Sequence, residues 1–218
     1  MGRDLALEKR RRIDRLVADG DVRTAAVRAA FEKVPRELFL TEDLVSRAYA
    51  DTPLPIAAGQ TISAPSMIAI MLEEAALVPG LNVLEIGAGS GYNAALLAEL
   101  VGGENVVSIE RHPELVDLAK ANLQRAGYKV EVVRGDGSLG HTARAPYDRI
   151  VATAGAPRLA SSWVEQLRIG GRIVAPIGGS AFRQVLVIAE KRPDGSIVRR
   201  EGVECAFVPL VGKEAWRA

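Results

Sequence analysis

The stretch NVLEIGAGSGYNAALLAELVG, residues 82–102, passes from an apolar run through clustered glycines into a helical pattern. The apolar run is too short for a helix and predicts a strand. YNAALLAELVG keeps apolar residues at helical spacing and predicts a helix, stopped by Gly102-Gly103. Strand, glycine turn and helix in that order begin a parallel sheet covered on both faces.

The alternation continues downstream. NVVSIER predicts a second strand and PELVDLAKANLQRAG a second helix, with Pro113 in its first turn and Gly127 past its end. KVEVVRGDG and DRIVATAG read as the third and fourth strands, SSWVEQLRIGG as a helix, and GRIVAPIGG as a fifth strand. In QVLVIAEKRPDGSIVRREGVECAFVPL two strand-like runs flank Pro193-Asp194-Gly195, which predicts an antiparallel pair at the sheet edge. Upstream, residues 4–18 and 22–33 have amphipathic spacing, 36–66 is mostly irregular with one short helix near 41–46, and Met67–Ala76 is helical up to Pro79-Gly80. One domain over 1–218 is expected: helices and a substrate loop in 1–80, a cofactor-binding core in 81–180, and antiparallel strands in 181–218.

Composition narrows the function classes. The chain has 218 residues, 48% hydrophobic and 25% charged, an ordinary globular balance. A net charge of +1 gives no global field for nucleic acid or an anionic membrane. KRRR at 9–12 reads as a solvated helix face, because Asp4, Glu8 and Asp14 lie beside it. One cysteine, Cys205, allows no internal disulfide, and with only His112 and His141 a Cys/His zinc site is not expected. The amino-terminal stretch lacks the apolar core of a signal peptide, and no apolar run reaches membrane-spanning length, so a cytoplasmic location is expected.

Ligands of open parallel sheets bind beyond the carboxyl ends of the strands, where Gly87-Ala88-Gly89-Ser90-Gly91 falls. A dinucleotide fingerprint would place its third glycine at 92, which is tyrosine here, and Glu85 would oppose a pyrophosphate. Glu110 and Asp136 end the next two strands. Glu110 is placed to accept both hydroxyls of a ribose, and Asp136 to accept from an exocyclic amine. Three strand-tip acids around one glycine turn fit a phosphate-free adenosine bearing a sulfonium and an ammonium, which is S-adenosylmethionine. Taken singly, Glu85 also reads as a strand end or helix-dipole partner, Gly135-Asp136-Gly137 as a turn, and Tyr92 and Asn93 as packing residues.

The chain also resembles the protein-L-isoaspartate (D-aspartate) O-methyltransferases. The matching stretches include VPRELFL (34–40), AYADTPLPI (48–56), GQTISAPSM (59–67), VLEIGAGSGYNAALLAEL (83–100), GDGSLG (135–140), APYDRIVATAGAP (145–157), QLRIGGRIVAPIG (166–178) and FVPLVG (207–212). The resemblance implies an α/β fold: a seven-stranded, Rossmann-like class I methyltransferase sheet, mostly parallel, with an antiparallel carboxyl-terminal pair and an amino-terminal helical cap. It implies a cytosolic repair enzyme moving methyl from S-adenosylmethionine to the α-carboxyl of isoaspartyl residues in damaged proteins and peptides, with S-adenosylhomocysteine as product. No nucleic-acid, membrane or metal partner is expected, and a monomer is. The resemblance departs at Ser66, where the family usually carries histidine, and at Gly155, which is expected to loosen its loop.

From residues and resemblance together, the expected cofactor contacts are Thr61, Ile62, Ser66, Glu85, Gly87, Ala88, Gly89, Glu110, Arg111, Asp136, Gly137 and Val211. The expected substrate contacts are Gln60, Thr61, Ser63 and Val208, with Ser63 as the active-site residue. A carboxylate nucleophile is already ionised at neutral pH and needs alignment rather than a base. Neutral donors hold it without repelling a sulfonium, so Ser63 and the N–H groups opening the helix at 64–76 are placed to do so. Ser63 as a helix N-cap fits the sequence equally well. GVECAFVPLVG is a candidate edge for adding the substrate main chain as a strand. Other readings of the same fold are a methyltransferase for RNA or a small molecule, a nucleotide-dependent oxidoreductase, and a silent binding module. GQTISAP separates the first, Tyr92 and Glu85 oppose the second, and Ser66 alone supports the third.

Overall fold

The computed structural model describes residues 4–180 and 183–217; Met1–Arg3 of the amino-terminal stretch, Ala181, Phe182 and Ala218 lie outside the described residues. Helix α1 (Leu5–Ala18) begins where Asp4 accepts hydrogen bonds from the N–H groups of Ala6 and Leu7, and it buries Ile13 and Leu16. Helix α2 (Ala25–Lys33) starts three residues later than its spacing suggests. Thr24 caps it, and the N–H groups of Arg23 and Thr24 are drawn off to the Glu73 carboxylate, each at 2.8 Å.

The 36–66 segment is less irregular than expected. The short helix near 41–46 is a 3-10 turn, Glu42–Arg47. Beyond it β1 (Leu54–Pro55) and β2 (Thr61–Ile62) form a two-stranded antiparallel ribbon. Helix α3 (Pro65–Ala75) opens two residues before Met67, because Pro65 is preset for the first helical position. An earlier 3-10 turn (Arg36–Phe39) docks this cap on the core. Its Arg36 is fully buried, with the guanidinium carbon 5.1 Å from the centre of the Tyr92 ring, and burial pushes its pKa down to about 10.

The core elements follow in the predicted alternation: β3 (Val83–Ile86), α4 (Tyr92–Val101), β4 (Val106–Glu110), α5 (Pro113–Arg125), β5 (Glu131–Arg134), β6 (Tyr147–Ala152), α6 (Ser161–Gln166), β7 (Leu167–Ser180), β8 (Arg183–Lys191) and β9 (Ile197–Cys205). Among the described residues they form a seven-stranded sheet in the order β5-β4-β3-β6-β7-β8-β9. Pairing is parallel from β5 across to β7, and β8 and β9 are antiparallel additions at one edge. The sequence predicts a single helix across the whole of SSWVEQLRIGG. The helix over SSWVEQLRIGG stops at Gln166, and Leu167 already pairs with Tyr147. Gly170 takes a φ of 75°, which a helix cannot continue through.

Side chains on β3 alternate strictly. Val83 packs into the layer of α4 and α5, while Leu84 and Ile86 join the opposite layer around Trp163 of α6. The chain leaves β3 and β6 as neighbours, so the turns after them, at Gly87 and Thr153, face one another at the sheet's carboxyl edge.

Candidate active site

The glycine turn after β3 is pinned from both sides. Gly87 has a φ of 97°, and a Cβ on it would lie 2.6 Å from Thr153 Oγ1. Gly91, with a φ of 88°, lets α4 start against the backbone of Ala119 on α5. The turn's amides are engaged within the protein: Gly87 N–H donates to Ile109 O (2.8 Å), Gly89 N–H to Glu110 Oε2 (3.1 Å), and Gly91 N–H to Ala88 O (2.8 Å). A diphosphate would need those same amides, so the turn does not offer a phosphate nest.

A cavity of about 260 Å³ opens beside this turn. Gln60, Thr61, Gly87, Gly89, Glu110 and Arg111 line it, as do Gly137, Val208 and Val211. Glu110 ends β4 with its carboxylate on the cavity wall, held by the N–H groups of Arg111 (2.8 Å), His112 (3.0 Å) and Gly89. Arg111 reaches the carbonyl of Val211 at 3.5 Å across the mouth.

A second, smaller cleft of about 40 Å³ shares Thr61, Gly87, Gly89 and Thr153 with the first. It adds Ile62, Ser63, Ala88, Tyr92 and Asn93. Ser63 is not the helix cap: Ala64 holds that position, with no side-chain hydrogen bond. Among the described residues the Ser63 hydroxyl has no hydrogen-bond partner. No charged side chain lines this cleft among the described residues.

Several expectations need correction. Glu85 does not reach the cavity: it is fully buried under α4, where Asn93 Nδ2 donates to Oε1 at 2.8 Å and the Ser108 hydroxyl donates to Oε2. Burial pushes its pKa up to about 7, with the charge of Glu110 adding to the effect and the two hydrogen bonds opposing it. Asp136 also turns from the cavity, although its neighbour Gly137 lines it. Its carboxylate accepts from the Ser138 N–H and hydroxyl and from the Lys213 N–H (2.8 Å), so it fastens the carboxyl-terminal segment. Burial raises its pKa, but these hydrogen bonds outweigh that and hold it below the usual carboxylate range.

Ser66 lies off both walls, and its N–H donates to Asp51 Oδ1 at 2.9 Å. Asp51 is itself paired with Arg12 at 3.5 Å, so an internal carboxylate already sits at the start of α3, where a substrate carboxylate was expected. The 208–210 backbone is not a free edge either, because Gly155 N–H donates to Val208 O and Leu210 N–H donates to Gly155 O. Gly155 does not loosen its loop. A Cβ there would lie 2.6 Å from Gln184 Nε2, and Gln184 in turn accepts from the Phe207 N–H.

Thr153, Asn93, His112 and Leu210 line these spaces without having been singled out as ligand contacts. Thr153 directly follows an apolar strand, and its hydroxyl donates to Gly87 O at 2.6 Å. Asn93 was detectable as the one amide in the otherwise apolar opening of α4.

Known proteins agree with this architecture. The family model described as protein-L-isoaspartate(D-aspartate) O-methyltransferase matches residues 7–215. A protein-L-isoaspartate O-methyltransferase of Pyrococcus horikoshii is 52% identical over 209 residues, 95% of this chain and 94% of its own. One from Hyperthermus butylicus is 49% identical, covering 96% and 90% respectively. Among solved structures, a protein-L-isoaspartate O-methyltransferase superposes with a TM-score of 0.83 at 33% identity, covering 95% of this chain and 67% of the other. A Plasmodium falciparum protein of the same description, solved with S-adenosyl-L-homocysteine, gives 0.80 at 25% identity, covering 92% and 96%. The chain belongs to the protein-L-isoaspartate(D-aspartate) O-methyltransferase family.

Proposed function

We propose that the chain esterifies the free α-carboxyl of L-isoaspartyl and D-aspartyl residues in damaged proteins and peptides, using the two neighbouring spaces beside the glycine turn. It is an S-adenosylmethionine-dependent methyltransferase. The observation that carries the site assignment is the uncharged cleft holding Ser63, which shares Thr61, Gly87, Gly89 and Thr153 with the cavity walled by Glu110.

The residues present fit such a nucleoside. The carboxylate of Glu110 keeps acceptor capacity for ribose hydroxyls, and the engaged glycine amides disfavour phosphate. Gly137 lines the cavity packed against Ile86, where a Cβ would lie 2.6 Å from Ile86 Cγ2, so no side chain fits there. When bound, S-adenosylmethionine supplies an electrophilic methyl group on a positively charged sulfur. The protein's part is to hold the carboxylate in line and keep water away. Thr61 and Ser63 offer neutral hydroxyl donors, which leave the carboxylate nucleophilic as a paired lysine or arginine would not.

The test is incubation with methyl-labelled S-adenosylmethionine and a peptide pair differing only in an isoaspartyl or aspartyl linkage. Base-labile ester on the isoaspartyl peptide alone is expected, and equal labelling of both would refute the assignment. No helix among the described residues is long and apolar enough to cross a membrane.

A strap over the cavity gives a second check. Glu214 N–H donates to Ser138 Oγ, and the Glu214 carboxylate accepts from the Ser162 N–H and hydroxyl. With Asp136 on Lys213, these bonds hold Val208–Val211 as the cavity's outer wall. A Cβ on Gly212 would fall 2.0 Å from Asp136 Oδ1 and 2.5 Å from Ser138 Oγ. Gly212→Ala is therefore expected to push the strap off Asp136 and Ser138, lowering the melting temperature and weakening cofactor binding by about tenfold. Equilibrium dialysis with labelled cofactor would measure it, and unchanged affinity would show that the strap is not a wall of the site.

A further inference from the structure

The apolar layer between β3 and α4 contains one polar trio, Glu85, Asn93 and Ser108, exposed by 0%, 8% and 0%. A carboxylate so placed is costly unless charge and hydrogen bonds compensate it. Its direct partners are neutral donors, Asn93 Nδ2 at 2.8 Å and the Ser108 hydroxyl, and among the described residues no cation pairs with it. Asn93 alone of the three lines the Ser63 cleft. Its Nδ2 is committed inward to Glu85, so the amide's other end, Oδ1, is the polar group it has left for the cleft. An amide that donates to a carboxylate is polarised, which makes its carbonyl oxygen a stronger negative pole.

We infer that Asn93, oriented by Glu85, is the residue that recognises the positive sulfur of S-adenosylmethionine. Asn93 Oδ1 presents its negative end to the sulfonium, and the Glu85 carboxyl that accepts from Asn93 Nδ2 holds the amide in that orientation. Glu85 is thus a positioning residue, one layer removed from the ligand. The cleft then has two poles, the Ser63 hydroxyl for the anionic substrate and the Asn93 carbonyl for the cationic donor. The product, S-adenosylhomocysteine, has a neutral thioether at the same place, so this pair favours the methyl donor over the spent cofactor. This assignment rests on the methyltransferase reading above.

Calorimetric titration of the full chain with each nucleoside separately tests it, in wild type, Asn93→Leu and Glu85→Gln. Asn93→Leu is expected to weaken S-adenosylmethionine at least ~10-fold while S-adenosylhomocysteine stays within about twofold, because only the methyl donor carries the positive sulfur that the carbonyl dipole attracts. Glu85→Gln keeps the shape and is expected to shift the same ratio by a smaller factor. Should Asn93→Leu not fold, Glu85→Gln decides alone. Equal weakening of both nucleosides would overturn the inference, since packing or contact with the shared ammonium acts on both alike. An unchanged ratio in both variants would overturn it too. Wild type binding neither nucleoside would overturn the methyltransferase reading itself, and this inference with it.

Discussion

Glu110→Ala is expected to weaken S-adenosylmethionine binding at least ~100-fold, because the ribose loses two hydrogen bonds to a charged acceptor, each contributing about 1.5–3 kcal/mol. The carboxylate is already in place for that role. Three backbone N–H groups, from Gly89, Arg111 and His112, fix both oxygens on the cavity wall. The same three donors lose their acceptor in the variant, so the melting temperature of the ligand-free protein should fall as well. Glu110→Gln separates the two effects, since it keeps an acceptor oxygen and most of the shape while lacking the charge. Titration calorimetry returning wild-type affinity for Glu110→Ala would remove this residue from the cofactor site.

Ser63→Ala is expected to lower kcat at least tenfold with the cofactor dissociation constant unchanged. The hydroxyl lines the uncharged cleft with no hydrogen-bond partner of its own among the described residues, and a hydrogen bond to a charged group contributes about 1.5–3 kcal/mol. The start of α3 is a poor substitute, because Asp51 already occupies the Ser66 N–H and its charge opposes a second carboxylate there. Ala64, not Ser63, occupies the cap position, so the variant should melt with wild type. Single-turnover measurement with a saturating isoaspartyl peptide isolates the chemical step. Undiminished turnover would mean that another group holds the substrate.

The sheet was legible because glycine and proline punctuate it. Gly102-Gly103, Pro113, Gly127 and the Pro193-Asp194-Gly195 turn each sit at an element boundary, and the apolar runs between them have strand or helix length. The three acids were legible as a set but not in their separate fates, which depend on register. Glu85 pairs with Ser108, so it lies two rows below Glu110, about 6–7 Å along the strand direction, and is covered by α4. Glu110 is the last residue of its strand and just clears that layer. Asp136 stands two residues past the end of β5, far enough out to meet the strap. Three acidic side chains thus became a buried, hydrogen-bonded carboxyl, a rim acceptor and a fastener. The Asp51 contact and the Gln184 support of Gly155 were likewise invisible, because each joins residues that only the folded chain brings together.

The cavity proposed to hold the cofactor takes walls from Gln60 and Thr61 in the first third of the chain and from Val208–Val211 near its other end. A polypeptide still being synthesised can lay down β3 through β7 before residue 208 exists, yet it has no closed nucleoside chamber. Ligand binding stabilises only what it binds, by an amount set by its concentration relative to its dissociation constant. On the proposed site, S-adenosylmethionine at any concentration is therefore expected not to chaperone the emerging chain. Its protection begins once translation has delivered the final strap, and a ribosome-stalled fragment ending before that point should be equally prone to proteolysis with or without the nucleoside.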